Sequence, residues 1–181
     1  MIRFLAYSGA RIGEALALKV GDVDLAAMRV RIGRTWTNEG AYKLGPPKTD
    51  AGRRKVPLYD FQVDEIRNLI SGRSGHDWLF PSPNGSQPNP GNWGTRVWDE
   101  ALAAAAIPEE KRELLTTHRL RHTAASAAIG AGANVKIVQS MMGHSDAGET
   151  LNVYGHLWPD SLDEVKGKVS AARTRELKRK R

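Results

Sequence analysis

The sequence predicts a mainly α-helical domain with one small antiparallel β-sheet. Three observations carry this. Apolar residues at helical spacing, bounded by capping residues, recur from residue 60 into the C-terminal tail. Strand-type alternation is confined to residues 23–58. The chain has 181 residues, 40% of them apolar, which suffices for one core, and it shows no internal repeat and no linker long enough to divide it. The expected organisation is one domain over 1–181 with a basic tail or helix over 160–181.

In chain order, RIGEALALKV (11–20) reads as a helix following a Ser8-Gly9 turn. In MRVRI (28–32), Met28, Val30 and Ile32 alternate with Arg29 and Arg31, the pattern of a half-buried strand with a basic outer face. GPPKTDAGRRKVPL (45–58) carries turn residues at 45–47 and 50–52, then a short strand ending near Val56. Asp60 is placed to cap a helix that turns Val63, Ile66, Leu69 and Ile70 inward. PSPNGSQPNPGN (81–92) is a loop, and a helix over about 93–106 follows with Trp98, Ala101, Leu102 and Ala105 on one side. A strong helix over 117–130 is stopped by Gly130 and Gly132. Asn134 then caps VKIVQSMM, which Gly143 ends. In the tail, Leu162, Val165, Val169 and Ala172 form an apolar stripe at helical spacing.

Composition removes several function classes. No apolar stretch approaches the roughly 20 residues of a membrane-spanning helix. The start, MIRFLAYSGAR, has too short an apolar run for a signal peptide. Cysteine is absent, so there is no disulfide framework, thiolate zinc site or thiol nucleophile, which favours a cytoplasmic protein. The net charge of +7 is unevenly spread. Residues 166–181 hold eight Lys/Arg and one acid, while residues 1–165 are balanced. Within that body, segment 29–55 has eight basic residues against Glu39 and Asp50, and segment 56–115 has five basic and nine acidic residues. Such segregation fits one face for a polyanion and one turned away from it.

The stretch TTHRLRHTAAS (116–126) gathers His118, Arg119, Arg121 and His122. On a helix, His118, Arg121 and His122 share a face, because positions i, i+3 and i+4 are neighbours. A metal site there needs carboxylates as ligands or supports, yet no Asp or Glu lies between Glu113 and Asp146. The HxxxH spacing also lacks the adjacent glutamate of zinc-protease helices. An anion site fits better, since the planar fork of Arg121 matches two oxygens of a phosphate. His122 is assigned an interior hydrogen bond ahead of a catalytic role.

At this point the residues carry a resemblance. SGARIGEALALKVGDVDL (8–25), GPPKTDAGRRKVPL, HRLRH (118–122) and MMGHSDAGETLNVYGHL (141–157) resemble, in order, the conserved boxes of the tyrosine recombinase (phage integrase) family. Each box is weak alone; four in order, ending in a tyrosine, are specific. The resemblance implies that family's catalytic-domain fold and a site-specific recombinase that cleaves and rejoins DNA strands without a metal or other cofactor. By it, Arg11 and Arg121 grip the non-bridging oxygens of the scissile phosphate, and His144 donates a further hydrogen bond. Lys48 protonates the departing 5′-oxygen, His118 assists proton traffic at the nucleophile, and Tyr154 attacks phosphorus to give a 3′-phosphotyrosine. Glu14 orients an arginine or holds its helix. The DNA-contact candidates are Arg29, Arg31, Arg34, Lys43, Arg53 and Arg54. The implied partners are double-stranded DNA bearing recombination sites and further copies of the chain, a tetramer on DNA.

The chemistry supports these residue types independently. A phosphodiester is anionic and repels an oxygen nucleophile unless fixed cations offset its charge where it builds up. A phenol with pKa near ~10 needs a base or a strongly positive surround to react. The alkoxide leaving group is poor, so a general acid is worth roughly 10²–10⁴ in rate. Alternatives stay open at single positions. Lys43 or Lys55 could replace Lys48, His144 could merely cap a helix, and Tyr7, Tyr42 and Tyr59 are rival phenols. Rival functions are a non-catalytic DNA reader built on 117–130 and 134–142, an inactive recombinase fragment, and a metal-dependent nuclease. A type IB topoisomerase shares the chemistry, but the box from Gly143 to Tyr154 is more similar to integrases. Relative to the family, an N-terminal DNA-binding domain and a helix before the first arginine are expected to be missing, with apolar surface exposed around Phe4 and Leu5.

Overall fold

The computed structural model describes residues 1–38, 40–158 and 162–179, the first three of the last stretch as backbone only. Ten helices are described: α1 (Ile2–Ser8), α2 (Ile12–Ala15), α3 (Asp60–Ile70), α4 (Pro90–Trp93), α5 (Asp99–Ala104), α6 (Glu109–Arg112), α7 (Thr117–Gly130), α8 (Val135–Met142), α9 (Ala147–Tyr154) and α10 (Leu162–Arg179). Five short strands accompany them: β1 (Val23–Asp24), β2 (Arg29–Ile32), β3 (Thr35–Asn38), β4 (Tyr42–Gly45) and β5 (Arg54–Pro57). The expected single sheet is in fact two antiparallel ones, a three-stranded sheet of order β1-β2-β5 and a β3-β4 hairpin.

The alternation read from MRVRI holds: Val30 and Ile32 are buried, Arg29 and Arg31 exposed. Their partners in register are Val56 opposite Val30 and Arg54 opposite Ile32, which puts Arg54 on the inner face of the sheet. That face joins α1, the Leu16–Leu18 stretch and Leu79 in the larger core, with Trp93, Trp98 and Leu102 at its border. A second core lies between α7, α8 and α9, around Ala124, Ala125, Ile129, Val138, Met142 and Tyr154.

Four elements depart from the sequence reading. Only Ile12–Ala15 of RIGEALALKV is α-helical, and Val20 opens a separate 3-10 turn. Leu16, Ala17 and Leu18 are all buried, so no solvent face remains for a longer helix, and the Leu18 carbonyl accepts from Leu79 N–H instead. Residues 2–8 form a helix, α1, packed along α7, and Phe4 and Leu5 lie inside the core rather than exposed. Asp60 is the first residue of α3, not its cap; Gln62 Oε1 accepts from the Tyr59 N–H at the preceding position. The run 90–104 carries a π-type turn at Gly94–Trp98. That turn brings Trp93 and Trp98, five residues apart, onto one face with ring centroids 6.2 Å apart. It also leaves Ala105 exposed.

The strongest helix signals hold. α7 spans Thr117–Gly130, and the Asn134 side chain accepts from Ile137 N–H at the start of α8. Gly143 ends α8 in the left-handed conformation at φ 67°. On α10, Val165 and Val169 are exposed, while the side chain of Leu162 lies outside the described residues.

Candidate active site

The site is assembled where the α1–α2 turn, the C-terminal end of α8 and the start of β5 converge. Gly9 takes a left-handed φ of 68° between α1 and α2, and its carbonyl accepts from both Arg121 and Arg54. A side chain at Gly9 would meet Met142 Sδ at 2.8 Å, so only glycine allows this approach. Arg121, on α7, is 3% exposed and also donates to the Met142 carbonyl. Arg54 donates to the Met141 carbonyl at 2.7 Å. The two guanidiniums therefore occupy the C-terminal end of α8, where unpaired carbonyls concentrate negative charge.

Glu14 knits this arrangement together. Its carboxylate is buried, receives Arg54 at 3.1 and 2.9 Å, and accepts from the backbone N–H of Arg11 at 2.8 Å. Burial alone would raise its pKa; the hydrogen bond and charge of Arg54, with Arg11, outweigh that and hold it below the usual carboxylate range. The Arg11 guanidinium lies 3.3 Å from the same carboxylate but is 44% exposed, so it reaches solvent. Burial lowers the Arg121 pKa to about 10, and neighbouring Arg11 and Arg54 add to the shift. Arg121 remains charged at neutral pH.

His144 follows Gly143 at the end of α8 and is 6% exposed. Its Nδ1 sits 2.9 Å from the buried Thr150 hydroxyl, and its Nε2 lies 3.2 Å from Glu149 Oε1. Burial, then the charge of Arg121, depress its pKa to about 4, so the imidazole is neutral at pH 7. It can therefore donate one N–H.

Tyr154, the last residue of α9, is 4% exposed, with its hydroxyl 2.8 Å from His122 Nδ1. Burial raises the pKa of the phenol; Arg121 opposes that shift and Glu149 adds to it. His122 in turn packs edge-on against exposed His118, ring centroids 5.0 Å apart. The pKa of His118 is lowered by burial and by His122, Arg121 and Arg11.

Of the six candidate catalytic residues, the fold thus brings five into one electrostatic neighbourhood: Arg11, His118, Arg121, His144 and Tyr154. Lys48 stands apart on the exposed loop between β4 and β5, without a hydrogen bond or ion pair to these five. The interior hydrogen bond assigned to His122 exists, and its partner is the candidate nucleophile; the i, i+4 spacing from His118 gave its face but not that partner. Among the proposed DNA contacts, Arg29, Lys43 and Arg53 are exposed. Arg31 and Arg34 are tied to the buried Asp22, which offsets part of their charge. Arg54 is a correction: strand register turns it inward, it is 8% exposed, and all its donors are used within the fold. Among the described residues no three His, Asp or Glu side chains gather as ligands for an ion.

The sequence model of the phage integrase family matches residues 1–160. This chain belongs to that family. It is 30% identical over 166 residues to the tyrosine recombinase XerD of Caulobacter vibrioides, covering 91% of this chain and 51% of that protein. It is 28% identical over 171 residues to the transposase from transposon Tn916 of Enterococcus faecalis, covering 88% of this chain and 42% of that one. The chain therefore spans about half the length of these family relatives. Among solved structures, the Tn1549 transposon integrase in complex with circular intermediate DNA superposes with a TM-score of 0.70 at 25% identity, over 94% of this chain and 58% of that one. The XerA recombinase superposes with a TM-score of 0.64, also at 25% identity, over 91% and 54%. The mainly α fold with small antiparallel sheets is that of the tyrosine recombinase catalytic domain.

Proposed function

We propose that this family member is the catalytic domain of a site-specific DNA recombinase that cuts and rejoins one strand through a 3′-phosphotyrosine. One observation carries the reading: a buried phenol, hydrogen-bonded to an imidazole, lies within the field of a buried, permanently charged guanidinium. Arg11 and Arg121 hold the non-bridging oxygens, and His144, neutral, donates an N–H to them. The Tyr154 oxygen attacks phosphorus while its proton passes to His122, the imidazole it touches; His118 stands one ring further out. The bond to the 5′-oxygen breaks, and Lys48 supplies the proton that makes a 5′-hydroxyl. Attack by a 5′-hydroxyl on the phosphotyrosine reverses these transfers, so rejoining needs no nucleotide cofactor. The charge that receives the phosphate is fixed before substrate arrives, which is where enzymes gain most.

The DNA runs over the β-strand side, contacted by Arg29, Lys43 and Arg53, with Arg31 and Arg34 contributing what Asp22 leaves. The working assembly is a tetramer on DNA, in the cytoplasm of a bacterium or of a cell carrying the mobile element. The test uses a pool of nicked duplexes with randomised sequence around the nick. An adduct that survives SDS, forms in EDTA and is lost in Tyr154→Phe supports the reading. Cleavage that EDTA abolishes, or an adduct that persists in Tyr154→Phe, overturns it. Sequencing the captured DNA identifies the site.

A further inference from the structure

Both ring nitrogens of His144 already face partners within the chain. Its Nε2 faces the carboxylate of Glu149 at 3.2 Å, while Nδ1 faces the Thr150 hydroxyl at 2.9 Å. A carboxylate can only accept, so the ring proton belongs on Nε2, and Nδ1 accepts from the hydroxyl. This is the tautomer a phosphate oxygen needs, and the carboxylate already holds its proton. We propose that Glu149 occupies the His144 side of the anion seat, and that a phosphodiester oxygen must displace it before cleavage. The inference rests on the reading of this site as a phosphodiester seat.

Three features of the molecule support it. Glu149 is about half exposed, on the first turn of α9, so its side chain can leave toward solvent without unpacking the core. Thr150 is fully buried and keeps the imidazole in place when the carboxylate departs. The same negative charge works against both halves of the reaction: it repels an incoming phosphate and disfavours ionisation of Tyr154. Arg11, Arg54 and Arg121 are the cations around this ring, and Glu14 is already committed to two of them. Among the described residues, Glu149 is therefore the one acid placed on His144. An acid in the first turn of a helix also favours the macrodipole. That role alone predicts a small loss of stability on neutralisation and no gain in function. A carboxylate that merely orients His144 predicts a loss of function.

The test compares the wild-type chain with E149Q, E149D and the double variant E149Q/Y154F, reading binding separately from chemistry. Affinity for a short duplex is measured at fixed low salt, adduct yield on the nicked pool, and the His144 ring nitrogens by ¹⁵N NMR. The expected result is about three- to tenfold tighter binding for E149Q, from removing one like charge beside the phosphate. The double variant keeps that gain, and E149D, which keeps the charge, stays near wild type. The adduct rate of E149Q at saturating DNA rises by a smaller factor. In the free wild-type chain the proton resides on Nε2, and its resonance moves on adding duplex and in E149Q. Unchanged or weaker binding by E149Q, or an equal gain in E149D, overturns the inference and leaves the recombinase reading standing. A binding gain in E149Q with no adduct from any variant upholds the displacement and sinks the tyrosine chemistry. A wild-type chain that binds no duplex sinks both.

Discussion

The helical side of the site and the strand side solve different problems. Arg121 comes from α7, His144 from just past the end of α8 and Tyr154 from α9; each is less than a tenth exposed, and each has a named partner inside the protein. Lys48 sits on an exposed loop and has none within the site. Groups that stabilise charge throughout a reaction gain by being fixed in advance, because no reorganisation is then needed at the transition state. A group that delivers a proton once has to reach an oxygen whose position the substrate sets. Buried, partnered side chains are therefore concentrated on the helical side, and the strand side offers an exposed one.

The comparison breaks most readily at Arg54, which belongs by sequence to the strand side and by burial to the helical side. Arg54→Ala leaves the buried Glu14 carboxylate with only Arg11, a half-exposed partner, and leaves the Met141 carbonyl bare. We expect a loss of about 3–5 kcal/mol in urea unfolding. A loss below about 1 kcal/mol would mean that Glu14 is not buried in solution. Lys48→Ala is the converse case. Its stability should stay within about 0.5 kcal/mol of wild type, while adduct formation slows by about 10²–10⁴. A substrate with sulfur in place of the 5′-bridging oxygen has a leaving group that needs no acid, and it should restore the rate. Failure of that rescue would move the acid to Lys43 or Lys55.

A third test sharpens the contrast through pH. An imidazole held at about pKa 4 in the fold and near ~6.5 in the unfolded chain lets the unfolded state bind the extra proton between those values. Stability should therefore fall as pH drops from about 6.5 toward 4, and be fully present above about 6.5. His118, also lowered, contributes with the same sign. The slope lost in His144→Gln isolates the buried ring, and Glu14 adds its own loss as pH falls from the usual carboxylate value toward its lowered folded one. Identical slopes for the two proteins would place His144 in solvent. The smallest effect is expected at Arg53→Ala: stability unchanged within about 0.5 kcal/mol, and a salt dependence of DNA binding shallower by about 0.9 per lost phosphate contact. An unaltered slope would remove Arg53 from the DNA face.

Much of this arrangement is legible in the residues, and the failures have physical causes. Caps and glycine stops read α7 and α8 correctly because Asn134 and Gly143 act locally. The RIGEALALKV helix was cut short by the tertiary demand of Leu16–Leu18 for the core, which outweighs their propensity. Arg54 was misplaced because GRRKVP supplies adjacent cations, and only strand register decides which one turns inward. The union of His122 with Tyr154 crosses 32 residues and three helices, and no local pattern encodes it. The π-type turn escaped notice for a related reason: two tryptophans five apart fit neither the 3.6-residue nor the two-residue period.

Gly143 has a further consequence. A methyl group there would stand 2.8 Å from the Arg54 guanidinium and 3.0 Å from the Ala51 carbonyl, on the loop that runs from Lys48 into β5. The missing carbon is thus the gap through which the buried wall of the pocket and the Lys48-bearing loop touch. Any substitution at 143 pries the two apart, and so displaces Arg54 and the loop that carries Lys48 even with every candidate reacting group left intact.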